Sequence, residues 1–304
     1  VILPPGTAGS LTQSLSDRLG VDLSSIAEHV PGAEQVSNWL EDSPEPAGPG
    51  SVDGPGTPPR TIGDPAIAEL SGLAASRLHP GVLYGVNDSR NTAEVFAIAA
   101  DGTTAARLTV LGAVNTDWEA LAPGWDAGGA PVLWIGDIGD NGRLRDGIRL
   151  LRIAEPTALA DAVVPSEVFD LVYPDGPHNA ETLLVDPRDG TVLIVTKADG
   201  AEGRIYRAPQ LRSDRINVLE LVGTAPPMIT DGAFELGAAG APRLVLIDYW
   251  RIHRQQADGS WAAKLGTLQL GTEAVAWPWP AGDDGQILIG SEGTGSRIVA
   301  ATAP

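Results

Sequence analysis

Carboxylates recur in pairs along this chain. The densest arrangement is the stretch TDWEALAPGWDAGGAPVLWIGDIGDN, Thr116 to Asn141, with Asp117 and Glu119 near its start and Asp137 and Asp140 near its end. Oxygen-rich side chains in this number suit two chemistries. A hard cation such as Ca²⁺ takes six to eight oxygen ligands, and Asp117, Asp137, Asp140 and Asn141 are the expected metal set. Two carboxyls about 5 Å apart, or about 6.5–9.5 Å apart, suit retaining or inverting glycoside hydrolysis respectively, and Glu119, Glu181 and Glu273 are the expected catalytic residues. A bound metal would instead polarise an ester or phosphoester. The loop GDIGDNGRLRD lacks the D-x-D-x-D-G spacing and the twelfth-position Glu of an EF-hand. Its Asp and Asn residues equally suit an Asx-turn network that caps a strand and pairs with Arg143 or Arg145.

What must position these residues is a repeat. From Ile67 onward the chain is short β-branched runs separated by Gly, Pro and Asp-Gly turns, which is all-β texture. Five segments align as strand starts: SGLAAS (71 to 76), EALAPG (119 to 124), ETLLVD (181 to 186), GAFELG (232 to 237) and EAVAWP (273 to 278). Each is followed by a second apolar run ending in polar residues, VLYGVND, VLWIGD, VLIVTK, LVLIDYW and ILIGSEG, and then by a third. ARLTVLG, EVFDLVYP, INVLELVG and AKLGTLQL are candidate fourth strands. Four-stranded units at this spacing are propeller blades, so the expected fold is a five-bladed β-propeller. The fifth unit ends after three strands, and a strand near Arg60 to Ile67 is expected to complete it and close the ring. A six-bladed ring is the alternative, because the long gap between the second and third starts leaves residues 157 to 177 room for extra structure.

In such a blade the innermost strand begins on the face where the second strand ends, since a hairpin joins them at the opposite face. The polar residues of both therefore meet at one end of the axis. Asp88, Lys197, Asp231, Asp248, Tyr249 and Glu292 are expected there as ligand-binding residues, with His178, just ahead of the third inner strand, as a ligand or base. Two charges about 4 Å apart at an effective dielectric near 20 interact by roughly 4 kcal/mol. The acidic face thus requires bound cations, basic partners such as Lys197, Arg90, Arg145 and Arg251, or carboxyls that stay protonated.

Composition narrows the partners. A net charge of −19 opposes binding to nucleic acid and favours cations, and no run is long and apolar enough to suggest a membrane span. With no Cys, disulfides, thiolate metal sites and a Cys nucleophile are excluded. The four His residues form no H-E-x-x-H, and there is no G-x-S-x-G, Walker A or strand-linked G-x-G-x-x-G. Trp118, Trp134, Trp277 and Trp279 lie in or near inner strands as expected packing residues, whereas Trp125, Trp250 and Trp261 are closer to loops, where an aromatic beside carboxylates would also serve a sugar. The expected partner is a small-molecule or glycan ligand.

Residues 1 to 60 differ from the rest, with helix-like pieces (LTQSLSDRLG, DLSSIAEHV, AEQVSNWLED) followed by SPEPAGPGSVDGPGTPPR. They are expected to form an arm of short helices and a Pro/Gly-rich linker, distinct from a propeller over 61 to 304. The Pro/Gly-rich leader and the missing Met start suggest a secreted or cell-surface protein. With NDSRN (87 to 91), DWE (117 to 119), GDIGDN (136 to 141), EAVAW (273 to 277) and SEG (291 to 293) in view, the chain resembles a group of secreted bacterial propeller-like proteins that share these motifs. The resemblance covers about residues 67 to 299. It implies the fold and the location of the site, and no activity.

Overall fold

Apolar runs of strand length, each closed by a turn residue, form hairpins that stack around an axis. The computed structural model describes residues 58–235, 243–266, 272–280 and 285–304, which contain strands and no helix. The expected helical arm lies outside them as far as residue 57. Among the described residues no helix is long and apolar enough to cross a membrane.

The first strand is β1 (Arg60–Thr61). Blade 1 follows with β2 (Leu70–Ala75), β3 (Leu83–Asn87), β4 (Glu94–Ile98) and β5 (Thr104–Val110). Blade 2 has β6 (Trp118–Trp125), β7 (Pro131–Asp137), β8 (Ile148–Ala154) and, after the short β9 (Ala162–Val164), β10 (Glu167–Val172). Blade 3 has β11 (Ala180–Val185), β12 (Val192–Thr196), β13 (Gly203–Arg207) and, after β14 (Asn217–Val218), β15 (Glu220–Ala225). Blade 4 is β16 (Asp231–Glu235), β17 (Arg243–Ile247), β18 (Arg251–Gln255) and β19 (Trp261–Leu265). Blade 5 is β20 (Thr272–Ala276), β21 (Gln286–Ser291) and β22 (Arg297–Thr302), with β1 as its outer strand.

The inner strands touch in the cyclic order β2, β6, β11, β16, β20 and back to β2, so the five sheets form a five-bladed β-propeller. The core lies between blades, because each sheet buries both faces against its neighbours. Blades 1 and 2 share a cluster containing Tyr84, Leu108, Trp118 and Leu133, and blades 2 and 3 share Trp134, Phe169, Ile194 and Tyr206. Leu184, Ile205, Ile229 and Leu246 join blades 3 and 4, and Val245, Ile252, Val275 and Ile289 join blades 4 and 5. Leu70, Phe96, Leu288 and Ile298 complete the circle between blades 5 and 1. The ring closes as expected from the short fifth unit: Arg60 pairs with Ile298 and Thr61 with Arg297, and the Ile62 amide donates to Ser296 O at 2.8 Å.

The long gap before blade 3 is filled without a sixth blade. Residues 157 to 177 hold β10, the outer strand of blade 2, and β9, which crosses to run parallel along β5 on blade 1. The segment INVLELVG divides, contrary to the single fourth strand expected. Its second half joins β15 on β13, while Asn217 and Val218 run parallel to β10 of blade 2. The cause is the Asn217 amide, which donates to Asp170 O at 3.0 Å and Arg212 O at 2.9 Å and so fastens this loop to the neighbouring blade.

Ile62 is almost fully buried in the seam between blades 5 and 1. Ile62→Ala is expected to lower stability by about 2–5 kcal/mol, read as a lower urea midpoint with an unchanged slope.

Candidate functional site

Four inner strands slip register against their partners at the same level, between Leu70 and Gly72, Trp118 and Ala120, Ala180 and Thr182, and Thr272 and Ala274. The residue left unpaired by each slip is Ser71, Glu119, Glu181 and Glu273. A bulge of this kind re-aims a side chain out of the alternation of its strand, and here it brings three glutamates together at one end of the axis. In blade 4 the pairing is regular, with Asp231 opposite Ile247 and Gly232 opposite Leu246.

Loops at the ends of the second strands are tied to the next blade by short polar side chains. Asn115 donates to Asn87 O at 3.0 Å and Asp88 O at 2.8 Å, and accepts from the Trp118 amide. Asn179 accepts from the Asp140 amide at 2.7 Å and donates to Asn141 Oδ1 at 3.0 Å. Ser71 Oγ donates to Trp118 O, and Thr272 Oγ1 to Asp248 O. This lacing carries the blade 1 loop up to the start of blade 2. Asp88, Asp117 and Glu119 there offer carboxylate oxygens that all lie within 4.8 Å of one another. Gly139 packs against two of them: a Cβ at that position would stand 2.5 Å from Asp117 Oδ2 and 2.7 Å from Glu119 Oε1. These three residues could hold a metal ion.

Electrostatics at this end are severe. Burial, then Glu181, Asp88, Asp117 and Glu273, push the Glu119 carboxyl well above the carboxylate range; it is 4% exposed, and no described residue donates a hydrogen bond to it. Burial and the neighbouring Asp88 raise Asp117 to about 6, against the pull of Arg145. Glu181 is compensated directly: Lys197 Nζ donates to both its oxygens, at 2.7 and 2.8 Å, and to Tyr249 OH at 2.6 Å. Burial works against the Lys197 ammonium, but Glu181, Tyr249 and Glu273 overcome it and hold the charge. Burial, Glu181 and Glu292 raise the half-buried Glu273, with Lys197 opposing. Glu292 itself is exposed at the rim.

Other expected residues have local partners. Asp137 pairs with Arg145 at 2.9 Å and accepts from the Asp117 amide. Asp140 accepts from the Leu144 and Arg145 amides at 2.9 and 2.8 Å, and Arg145 also donates to Gly139 O. The GDIGDN loop is thus built as an Asx-turn network clamped by Arg145, and it serves the site by presenting Gly139 to the acidic cluster. Asp248 accepts from the Trp250 and Arg251 amides and lies 2.8 Å from His253 Nε2. His178 turns to Asp175 and Tyr206 OH, at 3.1 and 2.9 Å, in a group with Arg204 and Tyr173. The contributions of Asn115, Gly139 and the bulges have no signature in residue type alone.

Together these features define an acidic axial site on a five-bladed propeller. No protein-family model matches the chain, and no curated protein matches it. Among solved structures, it is similar to a gluconolactonase from Xanthomonas campestris at 14% identity, covering 84% of this chain and 98% of that one with a TM-score of 0.43. It is also similar to a glucose dehydrogenase at 9% identity, covering 81% and 100% with a TM-score of 0.49. A virginiamycin B lyase from Staphylococcus aureus is similar at 14% identity, covering 81% and 74% with a TM-score of 0.39. These likenesses are remote, and the five blades rest on the strand pairing itself.

Asp231 tests the electrostatics away from the acidic cluster. It is 1% exposed, its Oδ2 accepts from the Val275 amide at 2.7 Å, and its Oδ1 has no partner among the described residues. Burial first, then Glu181 and Glu273, raise its pKa well above 3.8 against the Val275 and Gly232 amides. The folded state therefore binds a proton that the unfolded state releases above pH 3.8, so stability falls as pH rises from there toward the raised folded value. Asp231→Asn removes this contribution. Its stability should fall less steeply with pH than the wild type, by up to about 1.4 kcal/mol per pH unit, measured by urea unfolding across the acid-to-neutral range.

Proposed function

We propose that this propeller binds a divalent cation, calcium foremost, through Asp88, Asp117 and Glu119, and uses the ion's open positions to hold an oxygen-rich, carbohydrate-like small molecule. The observation that carries the reading is the spacing of the three carboxylates. Ligands on opposite sides of a Ca²⁺ at about 2.3–2.6 Å lie about 4.6–5.2 Å apart, which accommodates oxygens within 4.8 Å of one another. The smaller Mg²⁺, at about 2.0–2.1 Å, demands a tighter set. Glu119, buried without a donor, and Gly139, where a Cβ would crowd the same oxygens, support it. The ion would supply positive charge and Lewis acidity. Lys197 and Tyr249 would orient a ligand hydroxyl or carboxylate from the blade 3 and blade 4 side. Three protein carboxylates with the rest of the shell left to solvent or ligand suit the weak calcium sites of extracellular modules, at about 10⁻⁴–10⁻³ M, in keeping with a secreted or cell-surface protein.

Calorimetric titration of chelator-treated protein with CaCl₂ tests this. Calcium at about 100 times Kd should add about 2.7 kcal/mol, a rise of about 5–10 °C in melting temperature for a domain of this size. Asp117→Asn should weaken binding about tenfold or more, a loss of about 1.4 kcal/mol. Gly139→Ala should weaken it by displacing the Asp117 and Glu119 carboxylates while removing none of them. No heat of binding and no melting shift with calcium, magnesium or manganese would sink the cation reading.

A second reading, hydrolysis of a glycoside or ester by axial carboxylates, is supported by the contrast between two glutamates. Burial and acidic neighbours drive Glu119 well upward with no counter-ion in contact among the described residues, whereas burial raises Glu181 only to about 7 because Lys197 opposes it. Carboxyls whose environments push them apart in this way divide acid and base roles. On a substrate that the protein turns over, full activity in both Glu119→Gln and Glu181→Gln would exclude it. A glycan array with retained ligand and no product would leave a non-catalytic binding module.

A further inference from the structure

We propose a second site, for a small anion, at the end of the axis opposite the carboxylates. Below the acidic level the inner strands turn apolar, and Leu73, Leu121, Leu183 and Val275 line the upper part of a cavity on the axis. This cavity, of about 30 Å³, reaches toward the far end, where Arg77, Phe234 and Trp277 join its lining together with Pro123 and Pro187. Pro123 and Trp277 are each four residues along the chain from Glu119 and Glu273 respectively, about 13 Å at strand rise, so the donor-bearing end of the cavity is separate from the carboxylates.

The side chains of the lining offer donors and no acceptor. Arg77 Nε and Nη1 and Trp277 Nε1 are buried and without a hydrogen-bond partner among the described residues, and Trp277 is 6% exposed. The Arg77 guanidinium lies 4.3 Å over the Trp279 ring, which fixes its plane and leaves its edge to a ligand. Glu155 is turned elsewhere. It accepts from Ser76 Oγ and from the Arg77 and Leu78 amides, at 3.1 and 3.2 Å, and among the described residues no carboxylate forms an ion pair with Arg77 within 4.0 Å. Burial, opposed by Glu155, lowers the guanidinium only to about 10, so it is charged at neutral pH.

A buried guanidinium with two unmade donor bonds, only partly offset by Glu155, beside a third unmade donor on Trp277, calls for an acceptor carrying negative charge. A water supplies lone pairs but no compensating charge. The volume suits a small ligand: a water needs about 10–15 Å³ by this measure, so the cavity admits a halide, or one carboxylate or nitrate group. Arg77 comes from blade 1, and Trp277 and Trp279 follow the inner strand of blade 5. The anion would therefore brace the seam where the ring closes.

Melting curves at a constant ionic strength of about 0.2 M, with isethionate exchanged for chloride, bromide or nitrate, test this. The wild type should melt at least about 3 °C higher in the small anions. Trp277→Phe, which keeps one aromatic ring but removes the N–H together with the five-membered ring, should raise the half-saturating halide concentration about tenfold, and Arg77→Gln should abolish the response. A bromide-soaked crystal should show an anomalous peak between Arg77 and Trp277. A halide increment equal in the wild type and Trp277→Phe, or a cavity holding only water in bromide, would overturn the proposal, even if Arg77→Gln fails to fold.

Discussion

Like charges that cannot move apart set the terms at the acidic end of this propeller. Closure of the ring by β1 fixes the inner strands, and the bulges fix the glutamates upon them, so repulsion cannot be relieved by spreading. Each carboxyl is instead handled on its own. Lys197 neutralises Glu181, Arg145 neutralises Asp137, and backbone amides hold Asp140 and Asp248. Burial drives Asp231 toward its neutral form. Glu273 and Glu292 keep no basic partner in contact among the described residues. Of the carboxyls left after these local solutions, Asp88, Asp117 and Glu119 are the ones whose oxygens converge, which is why the cation reading falls there and not on the more conspicuous GDIGDN loop.

Two kinds of interaction divide the work of holding the blades together. The apolar clusters supply most of the free energy, since burial of nonpolar surface is the dominant favourable contribution and has no direction. It does not specify how far one blade slides along the next. The side chains of Asn115, Asn179, Ser71 and Thr272 do, because a hydrogen bond to a particular carbonyl tolerates little displacement. They cluster at the acidic end, and the glycines there permit the approach. At Gly72 a Cβ would lie 2.5 Å from the Leu121 amide nitrogen, so blades 1 and 2 can close only around a residue without one.

Much of this architecture was legible in the sequence. The five inner strands begin where the alignment places them, and the missing strand of the fifth unit is supplied from Arg60. The meeting of Glu119, Glu181 and Glu273 follows from that topology. The bulges that aim them do not, because a slip of one residue within a short buried strand leaves the apolar pattern unchanged. β9 and β14 are too short to carry a period of their own. The GDIGDN loop was ambiguous because capping and metal binding use the same oxygens, and the Arg145 side chain that settles its hydrogen bonding folds back from outside the motif. His178 likewise finds its partner, Tyr206, on another strand of blade 3.

The crossing strands change how the ring comes apart. β9, from within blade 2, edges blade 1, and β14, from within blade 3, edges blade 2. Peeling the rim of either edged blade therefore disturbs the chain of its successor, and blades 1 to 3 become one cooperative unit for opening. Blade 4 ends on its own β19, and blade 5 on the two-residue β1. Partial opening is accordingly directed to the half of the ring that contributes Asp231, Tyr249 and Glu273. The three carboxylates of the proposed cation site stand on the laced half and would keep their arrangement while the opposite wall breathes.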